Sequence, residues 1–132
     1  MKMVRAVALV ALVLLCISAL FGAIPLILNP SGEPWGMPQS FLDHSPFHSF
    51  LIPGMILLLA NGVLCLAILI GALRHSPGYG WWVAFQGCVL TGWIVVEVVI
   101  LRFAIWPHYF YAGIGLVLIG SGLILTRPGR EL

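Results

Sequence analysis

The sequence predicts an all-α membrane protein: four transmembrane helices in an antiparallel bundle, both termini cytoplasmic, and one long external loop. Three observations predict it. The first is composition. Of the 132 residues, 61% are hydrophobic and 8% are charged, with a mean hydropathy of +1.12, and a soluble domain of this size needs far more charge to cover its surface. The second is the presence of four apolar runs, over residues 4–28, 50–73, 81–105 and 109–126. Each approaches the about 20 helical residues that cross a ~30 Å hydrocarbon core. The third is the placement of the cations. Lys2 and Arg5 stand at the start of the first run, Arg74 lies between the second and third, and Arg127 and Arg130 follow the fourth. With four crossings these fall on one side and mark it as cytoplasmic. Arg102 is the exception.

Little chain is left for anything else, so residues 1–132 read as a single domain. The short connections after the second and third runs require antiparallel neighbours. The net charge of +2 then follows from topology. No basic stretch interleaved with aromatics accompanies it, which argues against a nucleic-acid partner. Cys16, Cys65 and Cys88 all fall inside apolar runs without CxxC spacing and read as small packing residues.

The first run opens like a signal peptide, but its apolar stretch of about 23 residues exceeds an h-region of roughly 7–15. No A-x-A site follows it, so a retained helix is expected. Pro25, near its outer end, is expected to bend or end that helix. Residues 29–49 form the external loop. Asn29-Pro30-Ser31-Gly32 and Glu33-Pro34-Trp35-Gly36 read as turns. Pro38 opens a short interfacial segment, PQSFLDH, that dips Phe41 and Leu42 into the headgroups. Ser45 then caps the second span and Pro46 takes its first position. A loop of this length can fold back as a lid.

In the second run, Pro53-Gly54 predicts a kink, and Asn61 near mid-membrane predicts a hydrogen bond to a neighbouring helix worth ~0.6–2 kcal/mol. Residues 74–80 make a tight inner turn, after which Trp81 and Trp82 mark the inner interface. The third run, WWVAFQGCVLTGWIVVEVVILRFAIW, carries Gln86, Thr91 and Glu97 as its polar positions. Glu97 lies about two turns below the outer boundary marked by Trp106, at a depth where a charge costs ~2.5 kcal/mol or more. It should therefore have a partner or a role, with Asn61 or the loop as the expected partner. Arg102 is five residues further on, about 140° around the helix, and is expected to reach outward to Asp43 or Glu33. Trp106-Pro107-His108-Tyr109 reads as a short external turn. The fourth run is rich in glycine (Gly113, Gly115, Gly120, Gly122), which suits close packing on a neighbour, on another copy or on a membrane partner.

The external side thus collects Asp43, His44, His48, Glu97, Arg102 and His108. The leading expectation is a non-enzymatic protein that binds a hydrophobic or amphipathic small molecule, lipid or quinone-like, in the bundle beneath the loop. Its ligand contacts would be Glu97, Asn61, Arg102, Asp43 and His48. A second reading places a zinc or copper ion on His44, His48 and His108 with Asp43, in a redox or metal-dependent enzyme component that uses Glu97 as proton acceptor. Pro46 lies between His44 and His48 and works against a regular helical turn there. Haem on His48 and His108 follows the same logic, though no spacing specifies a cofactor. A third reading is a structural subunit of a larger membrane complex. A channel would need several copies to line a pore.

The pattern SPFHSFLIPG…NG…GWIVVEVVILR, followed by a short aromatic turn and a Gly-rich last span, resembles a group of small four-span bacterial membrane proteins. In size and plan the chain is also similar to DoxX-like proteins, some of which accompany quinone-linked oxidoreductases. The resemblance implies topology and not activity, and no functional residue is carried onto this chain; a bacterial inner-membrane location is expected.

Overall fold

The structure, a computed structural model, describes residues 2–29, 49, 51–101 and 106–126. Among the described residues the regular structure is helical: α1 (Lys2–Leu28), α2 (Leu51–Leu73), α3 (Tyr79–Leu101) and α4 (Trp106–Leu125). Each is long and apolar enough to span a membrane. Large apolar side chains are exposed along all four, among them Phe21, Leu59, Val99 and Leu116. A water-soluble surface does not tolerate such continuous apolar exposure.

α1 runs for 27 residues, roughly 40 Å at the helical rise. It continues for three residues past Pro25, and the Pro25 carbonyl still accepts from the amide of Asn29 at 2.8 Å. Pro25 thus does not end the helix at that residue; it lacks the N–H that would bond to the Phe21 carbonyl, and the helix closes within one further turn.

α2 departs from its expected shape in an informative way. The chain is α-helical through Pro53-Gly54, over Leu51–Leu57. Pro53 sits in the first turn, where an amide has no partner to lose. Gly54 instead lets α1 approach: a Cβ there would lie 3.1 Å from Leu26 Cβ. The irregularity comes one turn later, where Leu58–Val63 winds as a π-helix around Asn61 before α-helix resumes over Leu64–Leu73.

The turn between α2 and α3 closes α2 with a Schellman arrangement. The His75 amide donates to Ala72 O at 3.2 Å and the Ser76 amide to Gly71 O at 2.9 Å. His75 takes the left-handed position (φ 53°) that glycine usually fills, and Gly78 (φ 73°) re-aims the chain into α3. At the other end of α3, the structure corrects the expected turn at Trp106–Tyr109. These residues form the first turn of α4, a position where Pro107 is compatible with the helix.

Packing pairs α1 with α2 and α3 with α4. Along the first pair, Gly54 faces Ala23, Gly62 faces Ala19, Cys65 bonds to Leu12 O and Ala72 O accepts from Arg5. The second pair makes the more extensive contact. There Gly80 and Gly87 on α3 meet Gly122 and Gly115 on α4 with backbone against backbone. A Cβ on Gly87 would fall 2.7 Å from Gly115 O, and one on Gly122 would strike Ala84 N. Only half of the expected glycine stripe is used, since Gly113 and Gly120 have open space beside them. Leu12, Leu15, Val83, Leu90, Leu118 and Leu125 fill the centre with essentially no exposure. Gly87→Ala and Gly122→Ala are therefore expected to lower the unfolding midpoint of the detergent-purified protein by a loss of about 1–3 kcal/mol. Gly113→Ala and Gly120→Ala should leave it unchanged or raise it slightly.

Candidate functional site

Two polar stations lie along α3, one in the middle of the helices and one toward the α3–α4 connection. The middle station joins α2 to α3. Gln86 Nε2 donates to Ala60 O at 3.1 Å and to Asn61 Oδ1 at 3.2 Å, with both side chains completely buried. The π-helical segment carries both acceptors, and π-bulges of this kind recur at functional sites. The Ala60 carbonyl also decides the amide orientations. With a fixed acceptor on one side, Gln86 must turn its NH₂ that way, which leaves Gln86 Oε1 and Asn61 Nδ2 without protein partners. Asn61 thus finds its neighbour in Gln86, and no contact between Asn61 and Glu97 is formed.

The second station joins α3 to α4. His108 Nε2 and Glu97 Oε2 are 3.1 Å apart, with the imidazole buried (5% exposed) and the Glu97 side chain 30% exposed. Eleven residues separate them in sequence. The first turn of α4 brings His108 back over α3, an approach permitted by the glycine contacts further along the same pair. Trp93, one turn before Glu97, interacts with the same carboxyl, although its indole N–H falls short of hydrogen-bond geometry. A carboxyl and an imidazole at this distance can hold a proton between them and pass it to, or take it from, a third group.

Other polar side chains of the helices are answered locally. Thr91 Oγ1 donates to Gly87 O at 2.8 Å, Ser121 Oγ to Val117 O at 2.7 Å and Ser18 Oγ to Leu14 O at 2.6 Å. Each bonds the carbonyl one turn back. Arg5 Nη2 donates to Ala72 O at 2.7 Å, and its guanidinium stands 5.9 Å from the Tyr79 ring centroid. It thereby supplies a cation to the last carbonyls of α2. Cys65 donates to Leu12 O at 3.3 Å and touches Cys16, both as free buried thiols, while Cys88 is exposed.

Of the ligand contacts expected from sequence, the structure places Glu97 and Asn61, at separate stations. Asp43, His44, His48 and Arg102 lie outside the described residues, as do Glu33 and the interfacial loop helix. The expected metal set is represented by His108, which is engaged with Glu97. Among the described residues no group of three or more His, Cys, Asp or Glu comes together. Gln86 was legible as a polar position, but its pairing with Asn61 was not. A polar residue near the middle of each of two successive runs is the signal that points to it. No family model, curated protein or solved structure matches this chain.

Because Gln86 satisfies two acceptors at once, Gln86→Leu should cost about 1–3 kcal/mol of stability by stranding Asn61 and Ala60 O. The Asn61→Leu, Gln86→Leu double variant should recover part of that loss. Thermal unfolding of the four members of this cycle in detergent measures the coupling.

Proposed function

We propose that this chain is a small multi-pass protein of the bacterial inner membrane. In this reading its helices form an antiparallel four-helix bundle with both termini cytoplasmic. It binds an amphipathic small molecule, of the lipid or quinone class, whose polar head meets the Glu97–His108 pair. One observation carries the reading. A hydrogen-bonded carboxyl and imidazole sit together at one end of the α3–α4 pair, and the carboxyl is only partly covered. Structural glue alone would not need that exposure, because a buried imidazole can be satisfied by a fully covered acceptor. Intramembrane acids that retain access are the ones that mark ligand and proton sites.

The orientation follows from the cations. Arg5 and Arg74 stand at the end of the helices opposite Glu97 and His108, and the cation-rich end faces the cytoplasm. The Leu28 end of α1 and the Leu51 end of α2 then lie on the Glu97 side. The polar pair combines a hydrogen-bond donor with an acceptor, which matches the carbonyl and hydroxyl oxygens of a quinone or quinol head.

Lipid extracts of protein purified in mild detergent, read by mass spectrometry, test this proposal. The wild type should carry a stoichiometric amphipathic ligand. Glu97→Gln and His108→Gln should each reduce its occupancy at least tenfold, with the unfolding midpoint in excess detergent changed little. Unchanged occupancy in both variants would refute the reading.

A further inference from the structure

A second surface lies at the far end of the molecule from Glu97 and does not rest on the function proposed above. An apolar groove of about 410 Å³ runs along the outside of α1, with Val117 of α4 as its far wall. Buried Ala11 lies at its base, and Ala6, Val10 and Leu14 line it with more exposed side chains. These last three recur at i, i+4 and i+8, so they form a ridge along one helix face. The next residue back along that ridge is Lys2, which is exposed. The groove is therefore headed by an ammonium group. Arg5 follows within the same first turn, Arg74 and His75 are exposed at the same end, and no described carboxylate stands near them.

Dimensions decide what fits. From Met3 to Leu14 the groove spans roughly 16 Å of helix, about half of a ~30 Å hydrocarbon core. It runs from the cation-bearing end to the middle of the span and stops there, which is the reach of one leaflet. A partner helix would seat only a ridge of its side chains in such a groove. An acyl chain is thin enough to lie inside it.

We propose that this groove holds one acyl chain of an anionic phospholipid, with the lipid phosphate bound at Lys2 and attracted by the surrounding cations. Lys2 supplies charge complementarity at the depth where the headgroup lies. The apolar floor supplies the chain contact, and van der Waals fit carries that contact because lipid tails compete with one another on equal terms. A zwitterionic lipid with the same chains fills the groove but gains less at its head.

Native mass spectrometry of the full chain in detergent, titrated with phosphatidylglycerol or phosphatidylcholine of identical acyl chains, tests the assignment. One phosphatidylglycerol per chain should be retained in preference to phosphatidylcholine. Lys2→Ala should weaken that retention about five-fold, the factor expected for one lysine at an anionic surface. Val10→Phe, which fills the groove while keeping it apolar, should abolish retention of both lipids without lowering the unfolding midpoint. Equal retention of the two lipids, or retention indifferent to both Lys2→Ala and Val10→Phe, would overturn the proposal. So would a dimer that Val10→Phe dissociates, since a second copy would then be the occupant.

Discussion

Inside an apolar layer a polar group has no water to turn to, so it must find its partner within the chain. That constraint sorts the hydrogen-bonded side chains of the four helices. Serine and threonine turn back on the carbonyl of the preceding turn and cost the packing nothing. The amides cannot do so, and they are joined to each other across α2 and α3. The acid and the imidazole are joined across α3 and α4. Arg5 is spent on the end of α2. Each pairing ties two helices together at a fixed height, so the polar groups set the register in which the apolar surfaces then pack.

The π-helical stretch follows from the same constraint. A regular α-helix keeps each carbonyl committed to the amide four residues on. Widening the turn over Leu58–Val63 loosens that commitment and presents Ala60 O to Gln86 beside the Asn61 side chain. The middle station thus has a backbone acceptor and a side-chain acceptor in one place. A donor and an acceptor on the two amides are left over, in a location with no exposure. Joined side by side, the two amides hold α2 and α3 in one register.

The α3–α4 pair is held differently. Gly80, Gly87, Gly115 and Gly122 allow backbone contact, and dispersion between the two main chains replaces the hydrophobic driving force that lipid cannot provide. The same closeness is what brings His108 within 3.1 Å of Glu97. Placement of the acid–imidazole pair therefore depends on four residues that carry no side chain at all. By contrast, Gly113 and Gly120 point away from this contact, and Val117 between them forms part of the α1 groove.

By itself the sequence determined the four long apolar helices and the tight turn at Arg74–Gly78. Hydrophobic run length, turn residues and cation placement are local quantities, and they act before any helix meets another. The need of Asn61 and Glu97 for partners was equally plain, since burying either alone is costly. Which partners they take was decided only by the tertiary structure. The choice depends on the relative rotation and height of helices far apart in the chain, and those are set by glycine contacts, by the π-helical turn and by the reach of individual side chains. For the same reason His108 read as part of a turn. Its role emerged only when the first turn of α4 folded back over α3.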